Sequence, residues 1–183
     1  KYRHAQGPLG KLAIFEAGHP VPDENSYRGT QAAIDAVTGL RESDLVLFLL
    51  SGGGSALFEK PRIAPGELAD ITRQLLACGA DITEINTLRK RFSAVKGGKF
   101  ARLCAPAQVF SIVLSDVLGD PLDAIASGPA YPDPTTATQA QGIAEKYRLR
   151  LSAEARARLA EETPKELTNA RSVVTGSVRQ LCT

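Results

Sequence analysis

Leu45–Leu50 is a run of six apolar residues that passes directly into Ser51-Gly52-Gly53-Gly54-Ser55. An apolar run of this length, without alternation, predicts a strand buried on both faces, as in a covered parallel sheet. Lys11–Ala17 predicts a weaker strand before it, and Gln108–Leu114 and Arg171–Thr175 predict two more. Between the strands the apolar period lengthens to that of a helix. Asp23 is placed to cap a helix over Glu24–Thr38, which Gly39 ends. Pro65 suits the first turn of a helix running to Cys78, with Gly79 as its stop. Asp81, with Glu84 three residues on, forms an acidic capping box for the next. In that helix Ile82, Ile85, Leu88, Phe92 and Val95 make the buried stripe. Thr135 opens a helix to about Tyr147, and Ser152 opens another to Glu162. Strands that alternate with helices give βαβ units. The expected fold is therefore one α/β domain over residues 1–183, with a layered, mostly parallel sheet and helices on both faces (Rossmann-like).

Composition narrows the function class. The 183 residues are 43% hydrophobic and 23% charged, with a net charge of +2. That balance, without a basic tract, argues against a nucleic-acid partner. No apolar run approaches the roughly 18 residues of a membrane span. Cys78, Cys104 and Cys182 are too scattered for a zinc site, and their odd number fits a reducing, cytoplasmic setting. Methionine is absent even at position 1, as expected of an internal piece of a longer chain.

Three places carry candidate chemistry. The triple glycine at a strand's carboxyl end can turn sharply and present successive amides to a phosphate or a carboxylate. Asn86, Arg89, Ser93 and Lys96 recur at helical spacing and are followed by Gly97-Gly98-Lys99. Taken alone this stripe reads as a solvated face with a glycine cap; beside an anion it becomes a cationic ledge with Lys96 at its tip. Asp116 and Asp120 follow the third strand in Ser115-Asp116-Val117-Leu118-Gly119-Asp120. Such aspartates commonly make turns and caps, but two of them at the ligand-binding edge of an α/β sheet also suit a hard cation. His19 lies in a proline-rich loop and His4 has no chemical neighbour in sequence. Gly52-Gly53-Gly54-Ser55 lacks both the Gly-Lys-Ser/Thr end of a Walker loop and the dinucleotide G-x-G-x-x-G spacing. Leu57 stands where a nucleophile elbow needs glycine.

Five segments occur in order: Gly18-His19-Pro20-Val21-Pro22-Asp23-Glu24, Ser51-Gly52-Gly53-Gly54-Ser55-Ala56-Leu57, Lys96-Gly97-Gly98-Lys99, Ser115–Asp120 and Ile125-Ala126-Ser127-Gly128-Pro129. Together they resemble the glycerate 2-kinase family, the MOFRL-type glycerate kinases whose members are often labelled hydroxypyruvate reductase. The resemblance implies ATP- and Mg²⁺-dependent phosphorylation of the 2-hydroxyl of D-glycerate, in a cleft between two α/β domains. It also implies that this chain lacks the family's early glycine-rich segment carrying a lysine, and its C-terminal domain. Arg91 and Ala130 depart from the histidine and threonine expected there.

On this resemblance Ser51, Gly52, Gly53, Gly54 and Ser55 hold an anion, either ATP phosphate or the glycerate carboxylate. Asp116 and Asp120 hold Mg²⁺, or Asp116 accepts the proton of the attacking hydroxyl. Lys96 and Arg89 offset charge on the transferred group, and His19 and Ser127 contact substrate. The alternatives are an NAD(P)H-dependent hydroxypyruvate reductase and a non-catalytic sugar-acid-binding domain. A homodimer is left open.

Overall fold

The computed structural model describes residues 1–5, 7, 10–115 and 122–176. Its elements run α1 (Glu24–Ala36), β1 (Leu45–Leu50), α2 (Gly54–Leu57), α3 (Pro65–Ala77), α4 (Ile82–Phe92), α5 (Lys99–Leu103), β2 (Gln108–Leu114), a 3-10 turn (Ile125–Ser127), α6 (Ala137–Lys146), α7 (Ala153–Leu159) and β3 (Ala170–Gly176). The three strands form one parallel sheet in the order β1-β2-β3, with Leu45 opposite Gln108 and Val109 opposite Ala170. The expected α/β class with a parallel sheet is borne out.

Local chemistry sets most boundaries. Asp23 caps α1 by accepting from the Ser26 amide, and Ser26 returns the bond to the Asp23 amide. Asp81 and Glu84 form the same reciprocal box on α4. α6 is capped by Thr136, one residue later than expected, and α7 ends at Leu159.

Two expectations are corrected. Lys11–Ala17 forms no strand in the described structure: Leu12, Ile14 and Phe15 stay exposed. Phe15 lies along α1, where a Cβ on Gly29 would come within 2.9 Å of the Phe15 Cβ. Second, α4 stops at Phe92, because Ser93 is extended (ψ 145°) and bridges to Pro61. Ser93 and Lys96 therefore leave the helical stripe on which their spacing placed them.

The core has two parts. Val46, Phe48 and Val109 face Val95, Phe100, Ala101 and Cys104 on one side of the sheet. There Phe48, Phe58 and Phe100 pack with ring centroids 5.0–5.5 Å apart, contacts worth about 0.5–1.5 kcal/mol each beyond their area. A second cluster joins α3, α4, α6 and α7 through Ile71, Leu75, Leu88, Phe92, Ala140 and Leu159. The other side of the sheet differs from expectation. Leu45, Leu47, Leu49, Leu114 and Val173 are 44–68% exposed there, so the described residues cover only one face. Among the described residues no helix is long and apolar enough to cross a membrane.

Candidate functional site

The site gathers at the carboxyl end of β1. Gly53 takes a left-handed conformation (φ 84°) and turns the chain into α2. The amides of Gly52, Gly53 and Gly54 donate to no backbone partner among the described residues, as a turn that serves an anion requires. A cavity of about 320 Å³ is lined by this turn together with His19, Asn86, Arg89 and Ala126. His19 packs on Gly53: a Cβ added there would meet the His19 ring at 3.2 Å. The loop bearing His19 is tied to α1, since the Gly18 amide donates to the capping Asp23 carboxylate at 3.0 Å.

The opposite wall, Ala124–Ala126, runs into the turn Ala126-Ser127-Gly128. All three residues are left-handed, with φ of 51°, 61° and 63°. Such backbone at two non-glycine residues stores strain, and surrounding contacts must hold it. The Gly97 amide donates to the Ser127 carbonyl at 2.9 Å, and the Gly98 amide to the Gly128 carbonyl at 2.7 Å. The Ser127 hydroxyl donates to Asn86 Oδ1 at 3.2 Å. Gly54 must be glycine for a related reason: its Cβ would stand 2.7 Å from the Ala126 Cβ.

The structure gives the cations of this region distinct places. Arg89 lines the cavity, donating to the Ser55 carbonyl at 2.8 Å and lying 3.9 Å from Glu59. Lys96 is not the exposed tip that its spacing suggested. It is fully buried, and its ammonium donates to the carbonyls of Ser55, Phe58 and Ala126. Burial lowers its pKa to about 8, against the opposing pull of Glu59. Lys96 thus fastens the glycine turn to the strained turn. Lys99 donates to the carbonyls of Lys90, Arg91 and Ser93 at the end of α4, and burial lowers its pKa to about 7.

Thus Ser51–Ser55, His19 and Arg89 converge, with Lys96 beneath them, whereas Ser127 is buried behind Asn86 and does not line the cavity. Asp116, Asp120 and Cys182 lie outside the described residues. β2 nevertheless pairs in parallel with β1, Leu50 opposite Val113, so its carboxyl end lies on the rim that carries the triple glycine. Three buried groups gave no signal in the sequence. Glu59 is 1% exposed between Arg89 and Lys96. Lys90 bridges Asp123 at 3.2 Å and Asp133 at 3.1 Å behind the strained turn. No period or motif marks these residues, because their partners are 30 to 43 positions away along the chain.

The family model described as a domain of unknown function (DUF4147) matches residues 1–160. The chain belongs to this family. It is also 50% identical to a D-glycerate 2-kinase of Thermotoga maritima, over 100% of this chain and 44% of that protein. A glycerate 2-kinase of Pyrococcus horikoshii is 48% identical over 76% of this chain and 32% of its own length. The crystal structure of a glycerate kinase from Thermotoga maritima superposes with a TM-score of 0.96 at 49% identity, covering all of this chain and 44% of that one. The resemblance to the glycerate 2-kinases carried by the five motifs is therefore borne out, and the chain spans under half the length of these relatives.

Proposed function

We propose that the protein transfers the γ-phosphoryl group of ATP to the 2-hydroxyl of D-glycerate, giving 2-phosphoglycerate and ADP. The observation that carries this reading is the glycine turn, whose amides donate to no backbone partner among the described residues, facing Arg89 and His19 at the sheet's carboxyl rim. Similarity to the D-glycerate 2-kinase of Thermotoga maritima supplies the substrate.

Phosphoryl transfer asks the protein mainly to position groups and to neutralise charge. The amides of Ser51–Ser55 take an anionic group. Arg89, held by the Ser55 carbonyl, offsets negative charge on the group in transit. His19 orients the hydroxy acid, and Ser127 acts on it only through Asn86, to which its buried hydroxyl donates. The 2-hydroxyl oxygen attacks the γ-phosphorus, the bond to the β-bridging oxygen breaks, and the hydroxyl proton passes to Asp116. Lys96 enters this reading as a positioning residue, because its donors are engaged by carbonyls.

Among the described residues no group of three His, Cys, Asp or Glu side chains could hold a metal ion. Mg²⁺ commonly takes only one or two carboxylates and completes its shell with phosphate oxygens and water. With Asp116 taken as the base, Asp120 is the carboxylate assigned to it, and the ion would neutralise the nucleotide's phosphate oxygens.

The test is ADP release coupled to D-glycerate, with the protein in its full natural length. Asp116→Ala should lower turnover about 10²–10⁴-fold, the usual contribution of a positioned base. Undiminished turnover at saturating Mg·ATP removes that role. NADH with hydroxypyruvate should give no change in nicotinamide absorbance; oxidation would favour a reductase.

A further inference from the structure

A second cavity, of about 340 Å³, adjoins the first and shares Arg89 with it. Its volume falls in the range of small-molecule sites, about 300–1,000 Å³. Pro20 and Pro22 of the His19 loop, Tyr27 of α1, and Leu68 and Leu76 of α3 form apolar walls. Among the described residues the only charged ones lining it are Arg73 and Arg89, and no carboxylate does. An apolar slot edged by cations suits a flat, uncharged ring system attached to a polyanion. Proline faces, an aromatic ring and a guanidinium are all surfaces on which a heterocycle stacks. Tyr27 carries its phenolic proton at neutral pH, as any tyrosine does, and can donate to a ring nitrogen or ribose oxygen; burial and then Glu59 raise its pKa further.

We propose that this slot binds the nucleoside of the phosphate donor, with Arg89 at the junction between the base and the phosphates held by the glycine turn. The proposal rests on the kinase reading and adds to it. It assigns the Ser51–Ser55 amides to donor phosphate rather than to the glycerate carboxylate, because the two cavities then hold one continuous molecule.

Ala69 and Leu76 line the slot on the exposed side of α3, so neutral polar replacements there leave the core of the helix untouched. ATP and inorganic tripolyphosphate are titrated calorimetrically into wild type, Ala69→Gln, Leu76→Gln and the double variant, each in its full natural length. Melting temperature and circular dichroism confirm the fold. The expected result is an ATP dissociation constant raised about fivefold by each change and tenfold or more by both, with tripolyphosphate unmoved, because a lost stacking wall concerns the ring alone. In turnover the loss should fall on the KM for ATP and leave the KM for D-glycerate unchanged. ATP binding within twofold of wild type in the double variant overturns the assignment, and so does an equal weakening of ATP and tripolyphosphate. Failure of the kinase reading looks different: wild type then forms no ADP from D-glycerate, whatever the titrations give.

Discussion

The ammonium of Lys96 lies 3.6 Å from the Glu59 carboxylate, and both side chains are closed to solvent at 0% and 1% exposure. Losing one member of a buried pair strands the other, at a cost of about 3–5 kcal/mol. Lys96→Met should therefore destabilise the protein by about that amount in urea titrations. Adding Glu59→Gln to the same chain should restore part of the loss. If the double variant is no more stable than Lys96→Met, the two residues are not coupled as their geometry implies.

Gly54→Ala places a methyl group where the Ala126 Cβ stands, at 2.7 Å. One of the two turns must then yield. A misplacement of about 1 Å at a reacting centre costs on the order of 10²-fold. Phosphoryl transfer should fall by roughly that factor, and the crowding should also lower stability by about 1–3 kcal/mol. Wild-type turnover in Gly54→Ala would show that the distance between the turns does not matter to the chemistry.

Glu84 gives the protein a specific acid response. Lys146 and then Tyr147 lower its pKa to about 2, so the folded chain binds that proton less readily than the unfolded chain. The contribution to stability is complete above the ordinary carboxylate value of 4.5 and is lost as pH falls toward about 2. Glu84→Gln retains a capping side chain but removes the charge. Its melting temperature should depend less on pH in that window than that of wild type, and parallel curves would refute the assignment.

The uncovered sheet face should be sticky. Leu45, Leu47 and Leu49 stand 57–68% exposed in one row, and contiguous apolar surface of that kind favours association. The 183-residue chain expressed by itself should bind a hydrophobic dye and self-associate, and Leu47→Lys with Leu49→Lys should reduce both. Sedimentation and dye fluorescence together measure this. A monomer without dye uptake would mean that the face is shielded.

The sequence made the local features of the fold legible, because short-range chemistry fixes them. The Asp23 and Asp81 caps, the Leu45–Leu50 strand and the Pro65 helix start all depend on neighbours a few positions away. Lys11–Ala17 misled because Leu12 and Ile14 stay exposed and Phe15 lies along α1 rather than in a ladder. The stripe through Ser93 and Lys96 misled because its spacing cannot reveal that Ser93 bridges Pro61 and ends the helix. At the candidate site the motifs marked glycines that build its turns, but not how they hold together. Gly97 and Gly98 looked like a helix cap or a ledge; instead their amides hold the Ser127 and Gly128 carbonyls. Glu59, Asp123 and Asp133 were invisible, since an acid becomes informative only when the cation opposite it is known.

The Ser55 carbonyl accepts hydrogen bonds from both Arg89 and Lys96. This double engagement separates tethering from responsiveness. A polyanion entering the cavity can draw Arg89 away, and the loop remains moored through the lysine underneath. A guanidinium that shifted toward an anion would thus leave in place the scaffold that aims it.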